Sequence, residues 1–243
     1  MIIVPKYADE DRGPFIHDGV IEFQMLDRDL IRSVDTCRAL TDATKVFYHL
    51  PFGMHNIFYY THPNTKPLLE ALLAHLRTDS EFIIAHAEIE PSTFYAFNGK
   101  ELLDMCRGKL YLENSVAMPT SNNLMVDSAW QIASECNIPV VCDVTHLRAT
   151  CFLYSIDQFI PKGCSYFHFS ACLDGDGVVD KKRTHGRAHR CYEDAVSDIN
   201  FLEAHGAYLD DALVCTEISE KDYATRPDMM REIEYLRRYL REK

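Results

Sequence analysis

Eight short apolar runs, each about the length of a β-strand, recur along the 243-residue chain with longer segments between them. They are Ile2–Pro5, Val20–Met25, Lys45–Leu50, Glu81–Glu88, Lys109–Asn114, Pro139–Val144, Cys164–Ser170 and Ala212–Ile218. Most are rich in Val, Ile, Phe or Tyr and are apolar almost throughout, as expected of strands covered on both faces in a parallel sheet. Between them lie helical patterns: Leu30, Val34, Cys37 and Leu40; Leu68/Leu69, Leu72/Leu73 and Leu76; Met125, Ala129, Ile132, Ala133 and Cys136 after a candidate N-cap at Ser121; and Val196, Ile199 and Leu202. A last helix opens at Pro227 and continues through Met230, Ile233, Leu236 and Leu240. Eight strands alternating with helices predict a single parallel (β/α)8 barrel of the TIM type.

One unit departs from the pattern. Lys6–Gly19 carries Gly13, Pro14 and Gly19 and shows no helical spacing, so the first β/α unit is expected to be abbreviated. No linker, low-complexity segment or long-period repeat interrupts the chain, which predicts one domain over residues 1–243. A 47% hydrophobic fraction suffices for a large core. The nine cysteines form no C-x-x-C pair, and several sit in apolar runs such as Val140-Val141-Cys142, as reduced thiols in a cytoplasmic core would. No apolar run reaches the ~18 residues that span a bilayer, and no secretory leader is evident; the expectation is a soluble, cytoplasmic protein without a membrane partner. Neither G-x-G-x-x-G, a P-loop nor a G-x-S-x-G elbow occurs, which argues against a nucleotide cofactor.

Ionisable residues fall at the ends of these runs. His49 closes the third and His86 lies near the end of the fourth. Glu113-Asn114 ends the fifth; Asp143 ends the sixth, with His146 three positions later; His168 ends the seventh and Glu217 lies near the end of the eighth. A parallel barrel delivers all its C-terminal strand ends to one rim, where active sites of this architecture lie. A single strand-end histidine is ordinarily a hydrogen-bonded structural residue. Glu113, Asp143, His168 and Glu217 together are a different matter, because three carboxylates and an imidazole facing one another need a cation. Such a set predicts a divalent ion, Mn²⁺ or Mg²⁺ if oxygen dominates, Zn²⁺ or Co²⁺ as imidazole is added.

The ordered motifs HLPF, AHAE, LYLENS, VVCDVTH, YFHFSA and LVCTEIS resemble those of the xylose-isomerase-like barrel superfamily, which holds sugar and sugar-phosphate isomerases and epimerases together with endonuclease IV-type apurinic-site nucleases. The resemblance implies that Glu113, Asp143, His168 and Glu217 are the common metal quartet. It further implies that His146, in a D-x-x-H motif, contacts substrate in an isomerase or a further zinc in a nuclease, and that His49 and His86 are additional ligands in a nuclease. The nucleases carry an Asp-x-His pair after the seventh strand; here Arg183-Thr184-His185 keeps the His as a candidate ligand but lacks the Asp. The substrate-binding Arg that isomerases often place after the metal-binding His is replaced by Ala171-Cys172-Leu173-Asp174.

Two enzymatic readings follow. In an isomerase or epimerase, Glu113 and Glu217, resembling the family's acid/base pair, would move the proton at carbon while His146 orients a substrate oxygen. In a nuclease, His49, His86, His146 and His185 would join clustered metals acting on a phosphodiester. Residues 181–190 bear on both, with Lys182, Arg183, His185, Arg187 and His189 as candidates for binding phosphate or another anionic group; the plain alternative is a solvated charged loop. The net charge of −12 and the missing Asp favour a small carbohydrate-like or anionic substrate over nucleic acid. A third reading is a non-catalytic accessory subunit using the barrel as a binding surface, and self-association into a homo-oligomer is compatible with all three.

Overall fold

The computed structural model describes residues 2–8, 19–25, 29–51, 65–86, 99–114, 125–144, 146–147, 160, 163–169 and 211–216. Eight strands, all parallel, follow one another in sequence order around a closed barrel. They are β1 (Ile2–Ala8), β2 (Val20–Gln24), β3 (Lys45–His49), β4 (Glu81–His86), β5 (Leu110–Glu113), β6 (Val140–Asp143), β7 (Tyr166–Phe169) and β8 (Leu213–Thr216). Four helices are described: α1 (Leu30–Leu40), α2 (Thr65–His75), α3 (Gly99–Met105) and α4 (Met125–Cys136). The parallel α/β barrel expected from the eight runs is the fold of this chain.

Two compact units divide it, Lys6–Val141 on the one hand and Met1–Pro5 with Cys142–Lys243 on the other. In Lys6–Val141 the register fixes which side chains share a face. Phe47 pairs with Phe82, His49 with Ile84, Ile84 with Tyr111 and His86 with Glu113. Because side chains alternate along a strand, Phe47, His49, Ile84, His86 and Glu113 look one way while Val46, Tyr48, Ile83 and Leu112 look the other. The second set meets the helices, for Tyr48 Oη and α1's Arg38 both contact Glu81 at the start of β4. The first set is therefore the barrel interior. Its lower part is aromatic: Phe47 stacks on Phe82 at 5.3 Å, and Tyr111 meets both rings edge-on at 5.1 and 5.9 Å. Lys45 and Lys109 lie over the Phe82 ring.

Local signals explain the element ends. Asp29 caps α1 by accepting from the Arg32 amide at 3.1 Å. Helix α4 closes with Asn137 in the left-handed region (φ 53°), while the Ile138 amide reaches the Ala133 carbonyl and the Asn137 amide reaches Ser134. That is a Schellman closure, and it turns the chain directly into β6. The apolar stripes of α1 and α2 bury Leu30, Val34, Cys37, Leu69 and Leu72, and Leu76 is buried just after α2, each full burial of a Val or Leu being worth about 1.5–3 kcal/mol.

Two details differ from the sequence expectation. Strand β1 does not stop at Pro5 but continues to Ala8, with Lys6 paired to Glu22. Pro5 lies within it and leaves the ladder one donor short at that position. Helix α3 lacks an obvious periodic stripe, since it is 7 residues long and buries Leu102 and Leu103. The helices expected around Val196 and after Pro227 lie outside the described residues. Six cysteines are described, all free thiols, five of them buried; burial pushes the Cys106 thiol up to about 12 and that of Cys164 to about 11. No described helix is long and apolar enough to cross a membrane.

Candidate metal centre

Within Lys6–Val141, three of the strand-end residues come together. His49, His86 and Glu113 are the last residues of β3, β4 and β5, and they share the interior face because parallel register aligns those ends. All three are buried, Glu113 completely. His49 Nε2 lies 3.0 Å and His86 Nε2 3.7 Å from the same oxygen, Glu113 Oε2. The two imidazole rings are tilted against each other with centroids 5.3 Å apart. Their ligand atoms all lie within 4.8 Å of one another.

The hydrogen-bond roles make this contact chemically specific. His49 Nδ1 lies 3.1 Å from the carbonyl oxygen of Leu50. A carbonyl only accepts, so Nδ1 carries the hydrogen and donates it. In the neutral ring Nε2 then presents a lone pair to a carboxylate oxygen, two acceptors facing each other. Either a proton or a cation must lie between them. Anchoring one ring nitrogen on a backbone carbonyl is also the usual support of a metal-binding histidine. Ligand atoms about 2.0–2.2 Å from a first-row ion stand about 3–3.6 Å apart, close to the separations seen here. The anchor is braced in turn: Gln24 Nε2 donates to the Leu50 carbonyl at 3.1 Å and lies 3.3 Å from the His49 carbonyl.

The other unit contains Asp143, His146 and His168. Asp143 is fully buried at the end of β6, its Oδ1 accepting from the His146 amide at 2.6 Å, and its Oδ2 lies 3.4 Å from His146 Nδ1. His168, on β7, is fully buried and meets the Tyr166 ring edge-on at 5.3 Å. Glu217, Lys182, Arg183, His185, Arg187 and His189 lie outside the described residues.

One buried charge near His49 lies inside a strand and not at a strand end. Lys6 Nζ and Glu22 Oε1 form an ion pair at 2.8 Å, with Glu22 completely buried. The signal was available: a carboxylate inside the apolar run Val-Ile-Glu-Phe-Gln must be paired if both faces of the strand are covered.

Fold and site together define a parallel α/β barrel with buried His and Glu groups able to hold a metal ion, an arrangement compatible with a metal-dependent enzyme. No family model, curated protein or solved structure matches the chain.

Proposed function

We propose that this chain is a divalent-metal enzyme and that its reaction is the isomerisation or epimerisation of a sugar or sugar phosphate. The observation that supports metal dependence is the buried group of His49, His86 and Glu113, in which His49 Nε2 faces Glu113 Oε2 at 3.0 Å while Nδ1 is taken by the Leu50 carbonyl. His49, His86 and Glu113 would hold the ion, and the sequence-derived assignment adds Asp143, His168 and Glu217. A bound divalent cation there supplies Lewis-acid stabilisation of oxyanion charge developing on a substrate. In this reading Glu113 and Glu217 carry protons to and from carbon, and His146, tethered to Asp143, orients a substrate oxygen. The net charge of −12 favours a small substrate over a polyanion.

One observation favours a second reading. The resemblance makes His49 and His86 metal ligands of an endonuclease IV-like phosphodiesterase, so their position beside Glu113 suits that reading as well. Metal content by mass spectrometry, followed by assays on aldose/ketose phosphates and on abasic duplex DNA, separates the two. Aldose–ketose interconversion with one ion per chain supports isomerisation. Cleavage of abasic DNA with two or more ions, and no action on sugars, replaces it with the phosphodiesterase. A protein that binds no divalent ion removes both and leaves the accessory subunit.

A further inference from the structure

Gln24 carries an inference that rests on the metal reading and extends it one residue outward, wholly within Lys6–Val141. It is the last residue of β2, in register with His49 at the end of β3, and so shares the interior face with it. Its side-chain amide nitrogen meets three backbone carbonyls, that of Leu50 at 3.1 Å and those of Met25 and His49 at 3.3 Å. All three only accept, so the amide has a single favourable orientation: turned over, it would set an oxygen against three oxygens. The Leu50 carbonyl is the one that bears on the metal centre, because it also receives His49 Nδ1 at 3.1 Å. It lies past the end of β3, on the peptide that joins Leu50 to Pro51, a residue without an amide hydrogen. Leu50 is fully buried, and one donor would satisfy its carbonyl. His49 is already such a donor, so Gln24 does more than satisfy it: the second donor fixes where the carbonyl points.

We infer that Gln24 is a positioning residue of the metal centre: through the Leu50 carbonyl it holds the His49 ring with Nε2 toward Glu113, ready to ligate the ion that His49, His86 and Glu113 share. The contacts form a continuous chain, from Gln24 Nε2 to the Leu50 oxygen, from that oxygen to His49 Nδ1, and from His49 Nε2 to Glu113 Oε2 at 3.0 Å. An imidazole turns about two side-chain bonds, and a carbonyl free to tilt would let it turn. A carbonyl pinned from the neighbouring strand does not. Groups in this outer position set the tautomer, orientation and basicity of a histidine ligand, and losing one typically costs 10–100-fold in metal affinity.

Co²⁺ titration of the full chain, followed by visible absorption and calorimetry, tests this. Gln24→Met removes the donors at nearly constant volume. It is expected to keep the far-UV spectrum of the parent, to bind Co²⁺ about tenfold more weakly, and to shift the d–d bands, which read the orientation of the ring. Gln24→Asn, which holds its amide one methylene short of the carbonyls, covers the case in which the first variant does not fold, and the same changes are expected of it. Imidazole ¹⁵N spectra of the Zn²⁺-loaded parent should show His49 protonated at Nδ1; a proton-free Nδ1 there would overturn the inference whether or not either variant folds. Parental affinity and bands in the variant that folds, with binding lost in Glu113→Ala, would overturn the role of Gln24 while leaving the metal centre intact. A parent that does not bind Co²⁺, or a Glu113→Ala variant that binds it normally, would remove the metal reading and the role of Gln24 with it.

Discussion

At the scale of single residues, His49 shows how a neighbour decides chemistry. The Leu50 carbonyl takes one ring nitrogen, which leaves the other facing the Glu113 carboxylate across a proton or a cation. Glu113→Ala is expected to lower divalent-ion affinity by at least ~100-fold, since a direct ligand should cost more than the 10–100-fold typical of outer-shell partners; equilibrium dialysis with Zn²⁺ reads it, and undiminished retention would refute the assignment. Imidazole must be neutral to ligate, so binding releases protons and the apparent affinity falls as pH is lowered. A titration in two buffers of different ionisation enthalpy measures that release, and no proton release on binding would argue against histidine ligation. His49, His86 and Glu113 were legible in the sequence because each ends a strand, and strand ends are where parallel topology gathers side chains. Glu22 and Lys6 were not. Glu22 sits inside its strand, and Lys6 follows Pro5, a residue that ordinarily ends a strand pattern.

At the scale of elements, strands were easier to read than helices. A strand covered on both faces leaves a continuous apolar run, whereas α3 is too short to show a periodic stripe. What joins the helices α1 and α2 to the sheet is partly polar and was invisible as pattern. Arg38 from α1 grips Glu81 of β4 with Nε at 2.9 Å and Nη2 at 2.6 Å, and also donates to the His75 carbonyl of α2 at 2.8 Å. Burial alone would push the Glu81 carboxyl up, but the Arg38 fork, the Arg77 amide and both guanidinium charges outweigh it and hold it below its ordinary 4.5. A depressed carboxyl stabilises the fold above its unfolded value and loses that contribution as pH falls through the folded one. The clasp is therefore complete at neutral pH and weakens in acid below about 4.5. Glu81→Gln is expected to cost about 3 kcal/mol in urea unfolding at pH 7, with the gap to the parent narrowing in acid. A gap that stays constant would show that the ion pair is not its source. The α4 closure gives a separate test. Asn137 holds φ 53°, so Asn137→Ala should cost about 1 kcal/mol and Asn137→Gly little or nothing.

At the scale of the whole molecule, the order of strands around the barrel repeats their order in the chain, which is why so much topology could be read from spacing alone. Local patterns of two or three residues placed the strands, and parallel connectivity left one simple way to close them. The same closure has a thermodynamic consequence. Ligands collected from separate strands exist as a site only in the folded chain, so binding free energy is also folding free energy. An ion at 100 times its dissociation constant adds about 2.7 kcal/mol, or about 5–10 °C in melting temperature for a chain of this size. Dialysis against a chelator should remove that increment from the parent and restore it on adding Mn²⁺ or Zn²⁺. Glu113→Ala should melt at one temperature with or without metal. If parent and variant respond alike, the ion binds somewhere that the folded strand ends do not define, such as exposed acids on this highly anionic surface.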